Sequence, residues 1–504
     1  MKLAALVVLM VGALLWEADD GVAAGQTGNS LTMPDSANGE YFSMVLDASG
    51  NPVVAYMDAL RLTIMHCNDP NCAGGDETIN DPLPAGGLNT GFFPSIALDA
   101  SGNPVVAYAE NLQGTPLGQL RILHCDDPNC DGTGEIVSPG FISGDTQNGF
   151  WASLVLDASG NPVVSFYSGK TDDLYLVHCG DANCLTGNSV TSPDSVGAVG
   201  QYTSLALDAS GNPVVSYYDY TNVALKVLHC DDPNCDGVGD NIETVNQTGS
   251  ANRYTSLSLD SAGNPVISHG RNGLWVSHCG DPNCSVGNVT TFVDSFGFAH
   301  LEGSSLKLDS SGRPVVAFIL SETEDVEITE LRLAACGDAS CSSDNTITRL
   351  IIGGDSQFRP LSERSLQLDA TGNPVLSFYP GPSILHCVVP DCNPDTDGDG
   401  CGDSTEKGPD ETLGGLRDFQ NPYDFYDVLG PGAALPTDGV IDLPNDILGV
   451  IQHHPAGTFG YDAQFDRGTW TGVNSWNDTQ GPDGVIDLPN DILGVIMQFN
   501  HRCV

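Results

Sequence analysis

The chain has 504 residues, 40% of them hydrophobic, which is enough to bury a sizeable core and excludes a disordered protein. Sixty-five acidic against 17 basic side chains give a formal net charge of -48, so nucleic acid and anionic membrane surfaces are excluded as partners and cations are the natural ligands. The 59 glycines and 31 prolines predict many turns between short strands.

Residues 1–24 read as a secretory signal: Lys2 supplies the charge, Leu3 to Trp16 the apolar stretch, and Val22-Ala23-Ala24 a small-residue cleavage site. That stretch is short for a bilayer span, and no later segment is apolar enough to cross one. The expectation is an exported protein, secreted or held at a cell surface and not membrane-spanning, whose mature chain starts near Gly25.

Between residues 43 and 379 one unit recurs seven times, clearest as SLALDASGNPVVSYY from Ser204 to Tyr218. Its aspartates are Asp47, Asp99, Asp157, Asp208, Asp260, Asp309 and Asp369, a period of about 50 residues, the length of a propeller blade. Within one unit SLALD predicts a first strand, Ala209 to Pro213 a turn, VVSYY a second strand, LKVLHC a third, and residues 243–245 a weaker fourth. Four antiparallel strands repeated seven times describe a seven-bladed β-propeller over residues 25–393.

The last repeat lacks a fourth strand. The segment TGNSLTMPDS, Thr27 to Ser36, matches TGNSVTSPDS, Thr186 to Ser195, in the fourth-strand region of the third repeat. The N-terminal segment is therefore expected to supply the missing strand, closing the ring and burying both terminal edges.

Fourteen of the 16 cysteines form seven C-x4-C pairs, one per repeat: Cys67/Cys72, Cys125/Cys130, Cys179/Cys184, Cys230/Cys235, Cys279/Cys284, Cys336/Cys341 and Cys387/Cys392. An exported chain favours disulfides here, each closing a short loop worth roughly 2 kcal/mol. The alternative is zinc, because His66, His124, His178, His229, His278 and His386 precede six of the pairs, with Ala335 in the sixth repeat. A histidine and two thiolates leave zinc without a fourth ligand.

Through the core D-x-x-G-N-x-V, as in Asp208 to Val214, the repeats resemble secreted NHL- or sialidase-like propellers. The resemblance implies architecture. A sialidase activity would use an arginine cluster and a tyrosine nucleophile, whereas the arginines here are scattered and none recurs from blade to blade. The motifs G-x-S-x-G and H-E-x-x-H are missing as well.

A ligand face is expected on the side of the second-to-third and fourth-to-first loops. There the repeats place Tyr41, Phe93, Trp151, Tyr202 and Tyr254 before the first strand, and Tyr56, Tyr108, Tyr167, Tyr218 and Tyr379 at the end of the second. Such rings stack on sugars or grip a peptide, and packing between blades is the competing reading. In the fifth repeat His269, Arg271 and Asn272 replace the usual aromatic pair, and a break in a symmetric ring is where specificity would show. The candidate ligand residues are Tyr56, Trp151, Tyr202, Tyr218, His269 and Arg271.

Residues 394–412 carry DTDGDGCGDSTE, Asp395 to Glu406. The segment resembles a twelve-residue EF-hand loop for Ca2+: Asp395, Asp397 and Asp399 at positions 1, 3 and 5, Cys401 at 7 through its carbonyl, Asp403 at 9 and Glu406 at 12. Gly400 takes the sharp turn.

Residues 413–504 contain two copies of DGVIDLPNDILGVI, Asp438 to Ile451 and Asp483 to Ile496. Each resembles the second half of a dockerin repeat. The resemblance implies Ca2+ oxygens from Asp438, Asp442 and Asn445 or Asp446, and from Asp483, Asp487 and Asn490 or Asp491. It also implies helices starting near Pro444 and Pro489, with Ile447, Leu448 and Ile451, then Ile492, Leu493 and Ile496, as their apolar faces. Loop positions 1 and 3 depart from the pattern, being Ala434 and Pro436, then Thr479 and Gly481. The polar pair that contacts cohesins is replaced by Leu443-Pro444 and Leu488-Pro489. Cys401 and Cys503, if bonded, would tie the calcium loop to the end of this module.

The expected protein is mainly β, a seven-bladed propeller closed by an N-terminal strand, with a small α-helical calcium-binding dockerin-like C-terminal module. Its expected function is recognition or scaffolding: a glycan or protein ligand at the propeller face, Ca2+ as cofactor, and a cohesin-like or cell-surface partner for the tail. The alternative is a polysaccharide-active glycoside hydrolase or lyase, which needs a carboxylate pair across a cleft that no spacing here selects.

Overall fold

The computed structural model describes residues 29–35, 39–83, 90–111, 118–131, 134–142, 147–237, 239–247, 253–295, 299–322, 328–354, 361–379, 381–389 and 392 of the propeller region. In the tail it describes residues 401, 406, 412, 417, 421, 423, 425, 441, 446–455, 457, 459–462, 465–468, 481–499 and 501. The expected signal segment, and Asp395, Asp397, Asp399, Asp403, Asp438, Asp442, Asn445 and Cys503, lie outside the described residues.

Seven four-stranded antiparallel sheets follow one another as the blades of a propeller. Blade four, made of Val199–Leu207, Pro213–Asp219, Ala224–His229 and Asn241–Asn246, shows why the repeat folds this way. At its first turn Asp208 Oδ1 accepts the amides of Ser210 and Asn212, at 2.7 and 2.8 Å. Gly211 takes φ 85°, and Pro213 opens the next strand with its fixed φ. The second strand is buried at every position, because neighbouring blades cover both of its faces, whereas the outer strand Asn241–Asn246 is mostly part-buried.

The core therefore lies between blades. One cluster joins Val163, Leu174 and Leu176 of blade three to Leu205, Val215, Tyr217 and Leu228 of blade four, with Cys230 and Cys235 at its edge. Another joins Met44, Val54, Tyr56 and Met65 of blade one to Val375 and Ile384 of blade seven, so the ring is packed all the way round.

The closure expected from the sequence is present. The seventh sheet runs Ser30–Thr32, Ser383–His386, Pro374–Phe378, Leu366–Leu368. Ser30 pairs with His386 and Leu31 with Leu385, just as Ser189 pairs with His178 and Val190 with Val177 in blade three. All seven C-x4-C pairs are disulfides, so the zinc alternative falls: its thiolates are consumed.

In the tail the described helices are Leu448–His453 and a continuous one from Leu488 to Met497, wider in its first half. The latter starts beside Pro489, with Asp487 as its N-cap. The expected apolar faces need correction. Leu448 and Ile451 are 37% and 39% exposed, and Leu493 and Ile496 are both 43% exposed. Of those faces only Ile447 and Ile492 pack inward, joined by Val450 and Val495, onto a small core with Cys401, Phe425, Ile441, Phe465 and Ile486. No helix among the described residues is long and apolar enough to cross a membrane.

Candidate functional site: the central channel

The channel is lined by the seven first strands, and in the first six blades a serine stitches the strand to the next blade. Ser43, Ser95, Ser153, Ser204, Ser256 and Ser305 accept the amides of Ile96, Leu154, Leu205, Leu257, Leu306 and Leu366, at 2.9–3.2 Å. Two residues before that serine, blades one to five have a bulge in the ladder. The bulged residue holds a left-handed φ: 59° at Tyr41, 51° at Phe93, 50° at Trp151, 55° at Tyr202 and 55° at Tyr254. A bulge re-aims a side chain, and here it turns five aromatic rings into one mouth.

Neighbouring rings meet at centroid distances of 4.8 Å (Tyr41–Phe93), 5.7 Å (Phe93–Trp151), 4.5 Å (Trp151–Tyr202) and 4.6 Å (Tyr202–Tyr254). They line a cavity of about 280 Å3. Its hydroxyls largely serve the scaffold: Thr203, Thr255 and Ser304 donate to the carbonyls of Trp151, Tyr202 and Tyr254, fixing each bulge. At the rim the Tyr254 hydroxyl donates to Glu302, 3.2 Å away. Burial first, then the neighbouring Tyr202 and the charge of Glu302, raise the Tyr254 pKa well above the ordinary phenol range.

The arc ends where the repeat breaks. The equivalent residue is Gly303 in blade six and Glu363 in blade seven. A Cβ at Gly303 would lie 2.4 Å from the Leu361 backbone nitrogen, so the chain of blade seven occupies the space a sixth ring would need. Glu363 lines both the mouth and a second chamber of about 520 Å3 at the other end of the strands, where Lys307 and Arg364 also face inward.

The structure separates the six candidate ligand residues. Trp151 and Tyr202 line the mouth. Tyr218 is buried, 6.5 Å from the Tyr202 ring, with the Arg253 guanidinium 5.8 Å from its centroid. Tyr56 is fully buried between blades and donates a hydrogen bond of 2.6 Å to Asp35. Arg271 is exposed at the end of its strand. His269 is fully buried: Nε2 meets the Ser277 hydroxyl at 2.9 Å, while Nδ1 has no partner. Burial pushes its pKa down to about 3. Its counterparts are Tyr56, Tyr108, Phe166, Tyr217, Phe318 and Phe378, every one buried, so this is a packing position.

Sequence reasoning missed the role of the recurring histidines. Five of the six bridge the turn aspartate of their own blade and the asparagine in the disulfide loop of the next, whereas His278 meets its own Asp260 and the next loop has Ser340 in that place. His229 Nε2 lies 3.1 Å from Asp208 Oδ2, and Nδ1 lies 2.8 Å from Asn283 Oδ1. The bridge repeats through His66/Asn129, His124/Asn183 and His178/Asn234, and His386/Asn71 carries it across the closure. Burial alone would raise the Asp208 pKa, but the Asn212 amide, His229 and the Ser210 amide outweigh it and hold the carboxylate below its usual range. The signal was present in the sixth repeat, where Ala335 replaces the histidine and Arg313 replaces the turn asparagine to pair with Asp309 at 2.8 Å.

Of the metal candidates, Cys401 and Glu406 are fully buried, and Cys401 is in a disulfide whose other half lies outside the described residues. Asp446 and Asp491 are fully buried, at equivalent places in the two copies. Asp491 accepts the amides of Arg467 and Asp487, at 2.5 and 2.6 Å. Asp487 caps its helix by accepting the Asn490 amide at 2.9 Å, and Asp483 is exposed.

No known protein family and no curated protein matches the chain. Among solved structures it is similar to YCF48 of Cyanidioschyzon merolae, at 8% identity and TM-score 0.44, covering 71% of this chain and 98% of that one. A protein of unknown function from Dyadobacter fermentans matches at 10% identity and TM-score 0.44, covering 60% and 95%. An α-L-arabinanase of Penicillium chrysogenum, solved with arabinobiose, matches at 12% identity and TM-score 0.39, covering 58% and 91%. At such identities the likeness concerns the fold alone.

Proposed function

We propose that the protein is an exported recognition or scaffold protein whose propeller takes a glycan or protein ligand at its aromatic mouth. The observation that carries this reading is the arc of five rings, Tyr41 to Tyr254, set by bulges around one cavity. Rings held in strained backbone at a channel mouth serve ligand contact better than blade packing, which the buried second-strand ring already supplies. The enzyme alternative is less well supported. Glu363 is the one carboxylate lining the mouth cavity among the described residues, and glycoside hydrolysis uses two.

The tail completes the proposal. Residues 1–24 act as export signal, 25–393 as propeller, 394–412 as calcium loop and 413–504 as docking module. Ca2+ would be held by Asp395, Asp397, Asp399, Asp403, the Cys401 carbonyl and Glu406. Full burial of Glu406 suits a bidentate terminal ligand. The twice-repeated exposed pairs, Leu448/Ile451 and Leu493/Ile496, suit attachment to a partner protein.

A glycan and peptide array, with a hydrolysis screen on the same preparation, tests the mouth. Trp151→Ala and Tyr202→Ala are expected to weaken the best ligand about tenfold or more. Turnover that survives both substitutions would sink the recognition reading. Calorimetry on the full chain is expected to register Ca2+ uptake that Asp397→Asn reduces, and an unchanged isotherm would remove the calcium loop from the proposal.

A further inference from the structure

The chamber at the far end of the channel is chemically the reverse of the mouth. Its lining mixes leucines such as Leu156, Leu207 and Leu259 with Ser204 and Ser258, and Lys307, Glu363 and Arg364 line it too. Neither cation belongs to the repeat. Two residues past the strand serine, the other blades have Val45, Ala97, Val155, Ala206, Ser258 and Gln367, and only blade six has a charge there. Immediately before the serine, only blade seven has a charge, Arg364. In a chain with 17 basic residues and a net charge of -48, placing two of them in one inner chamber is not a solubility device.

The local charges do not cancel. Arg364 Nε meets Glu363 Oε1 through one long contact of 3.4 Å. Lys307, half-buried, has no hydrogen-bond or ion-pair partner among the described residues. Two cations against one carboxylate leave an excess positive charge inside the ring, where water screens it less than at an open surface. Burial first, then the like charge of Arg364, pulls the Lys307 ammonium down to about 8, with Glu363 opposing.

We propose that this chamber binds a small organic carboxylate, its oxygens meeting Lys307 Nζ and the Arg364 guanidinium and its apolar body resting on the leucine walls. The planar guanidinium matches a carboxylate, and the ammonium adds a second charge-assisted bond. The leucines within that lining favour an organic anion over a fully hydrated inorganic one. The proposal concerns a different chamber from the aromatic mouth and stands without it.

Calorimetry on the full-length protein with benzoate, neutral benzamide and inorganic sulfate tests it. Benzoate is expected to bind and the other two are not. Lys307→Met and Arg364→Met are each expected to weaken benzoate about tenfold or more, the size of one lost charge-assisted hydrogen bond. Lys307→Arg keeps the affinity. Wild-type affinity should fall as pH rises through about 8, where Lys307 loses its proton, and Lys307→Arg should flatten that profile. Melting curves of the variants verify their fold, and methionine against leucine walls is compatible with it. Equal binding of benzoate and benzamide, no benzoate binding, preference for sulfate, or affinity indifferent to both methionine variants overturns the proposal. So does benzoate binding lost in Trp151→Ala but kept in Lys307→Met, which would place it at the mouth.

Discussion

Blades one to five and blades six and seven share one repeat but treat the channel differently. The first five turn an aromatic ring into the mouth through a bulge, and keep the far chamber uncharged. The last two replace the ring with Gly303 and Glu363 and add Lys307 and Arg364. Blade six also loses the inter-blade histidine, with Ala335 in its place. Positions that repeat build the ring, and positions that depart put chemistry inside it. Sevenfold symmetry alone would yield a uniform pore, so departures are what make one direction across the channel unlike another.

The comparison can be broken most forcefully at the seam, where blade seven borrows its outer strand. Deleting residues 29–32 removes the pairing of Ser30–Thr32 with Ser383–His386. It also removes side-chain bonds from Asn29 to Cys392 and Val388, and from Ser30 and Thr32 to Asn71. At about 1 kcal/mol per bond the expected loss is at least about 4 kcal/mol in denaturant titration. An unchanged midpoint would mean that the ring closes without this strand.

The inter-blade bridge comes next. Asp208→Ala in blade four strips partners from two amides and from His229, and should cost about 3 kcal/mol. Asp309→Ala in blade six, whose partner Arg313 is 49% exposed, should cost only about 1 kcal/mol. Equal losses would erase the distinction. Because the Asp208 carboxylate lies below its usual range, its contribution is present at neutral pH and fades on acidification below about pH 4.

His269 marks the one departure inside the packing ring of the first five blades. The folded chain keeps it neutral down to about pH 3, whereas the unfolded chain protonates near pH 6.5, so stability falls as pH drops between those values. The slope is about 1.4 kcal/mol per pH unit, or about 2 kcal/mol by pH 5. His269→Phe, the residue of blades three, six and seven at this place, should remove the slope. A variant as acid-sensitive as the wild type would show that the slope arises elsewhere.

The smallest effect tests whether the sixth blade is merely a degenerate copy. Restoring the repeat with Arg313→Asn and Ala335→His should stabilise by about 1 kcal/mol, one net bridge. Destabilisation in thermal melts would mean that Arg313 does more than replace the histidine.

Much of the fold was legible because it rests on short-range patterns. A fixed period, turn residues at fixed offsets and paired cysteines five positions apart specify strands and disulfides without knowledge of neighbours. The closing strand was legible as a repeated fragment in the wrong place. The candidate site was only half legible, since Trp151 and Tyr202 reached the mouth but Tyr56 and His269 did not. Tyr56 is the counterpart of Tyr217, not of Tyr218, and a shift of one residue in a strand exchanges its faces. The tail helices failed in a related way. Both faces of LPNDILGVI are apolar, and only the packing of Ile441 and Phe465 against Ile447 and Val450 selects one.

The sequence by itself determined the sevenfold period, the blade strands, the disulfides and the closure, because each is written within one repeat or in a copy of it. Only the tertiary structure decided which departures share a space. Glu363, Arg364 and Lys307 belong to two different repeats, and the curvature of the ring brings them to one channel. The histidine bridge has the same origin: its two partners lie in successive blades, and no local pattern reports a contact that exists only after the blades pack side by side.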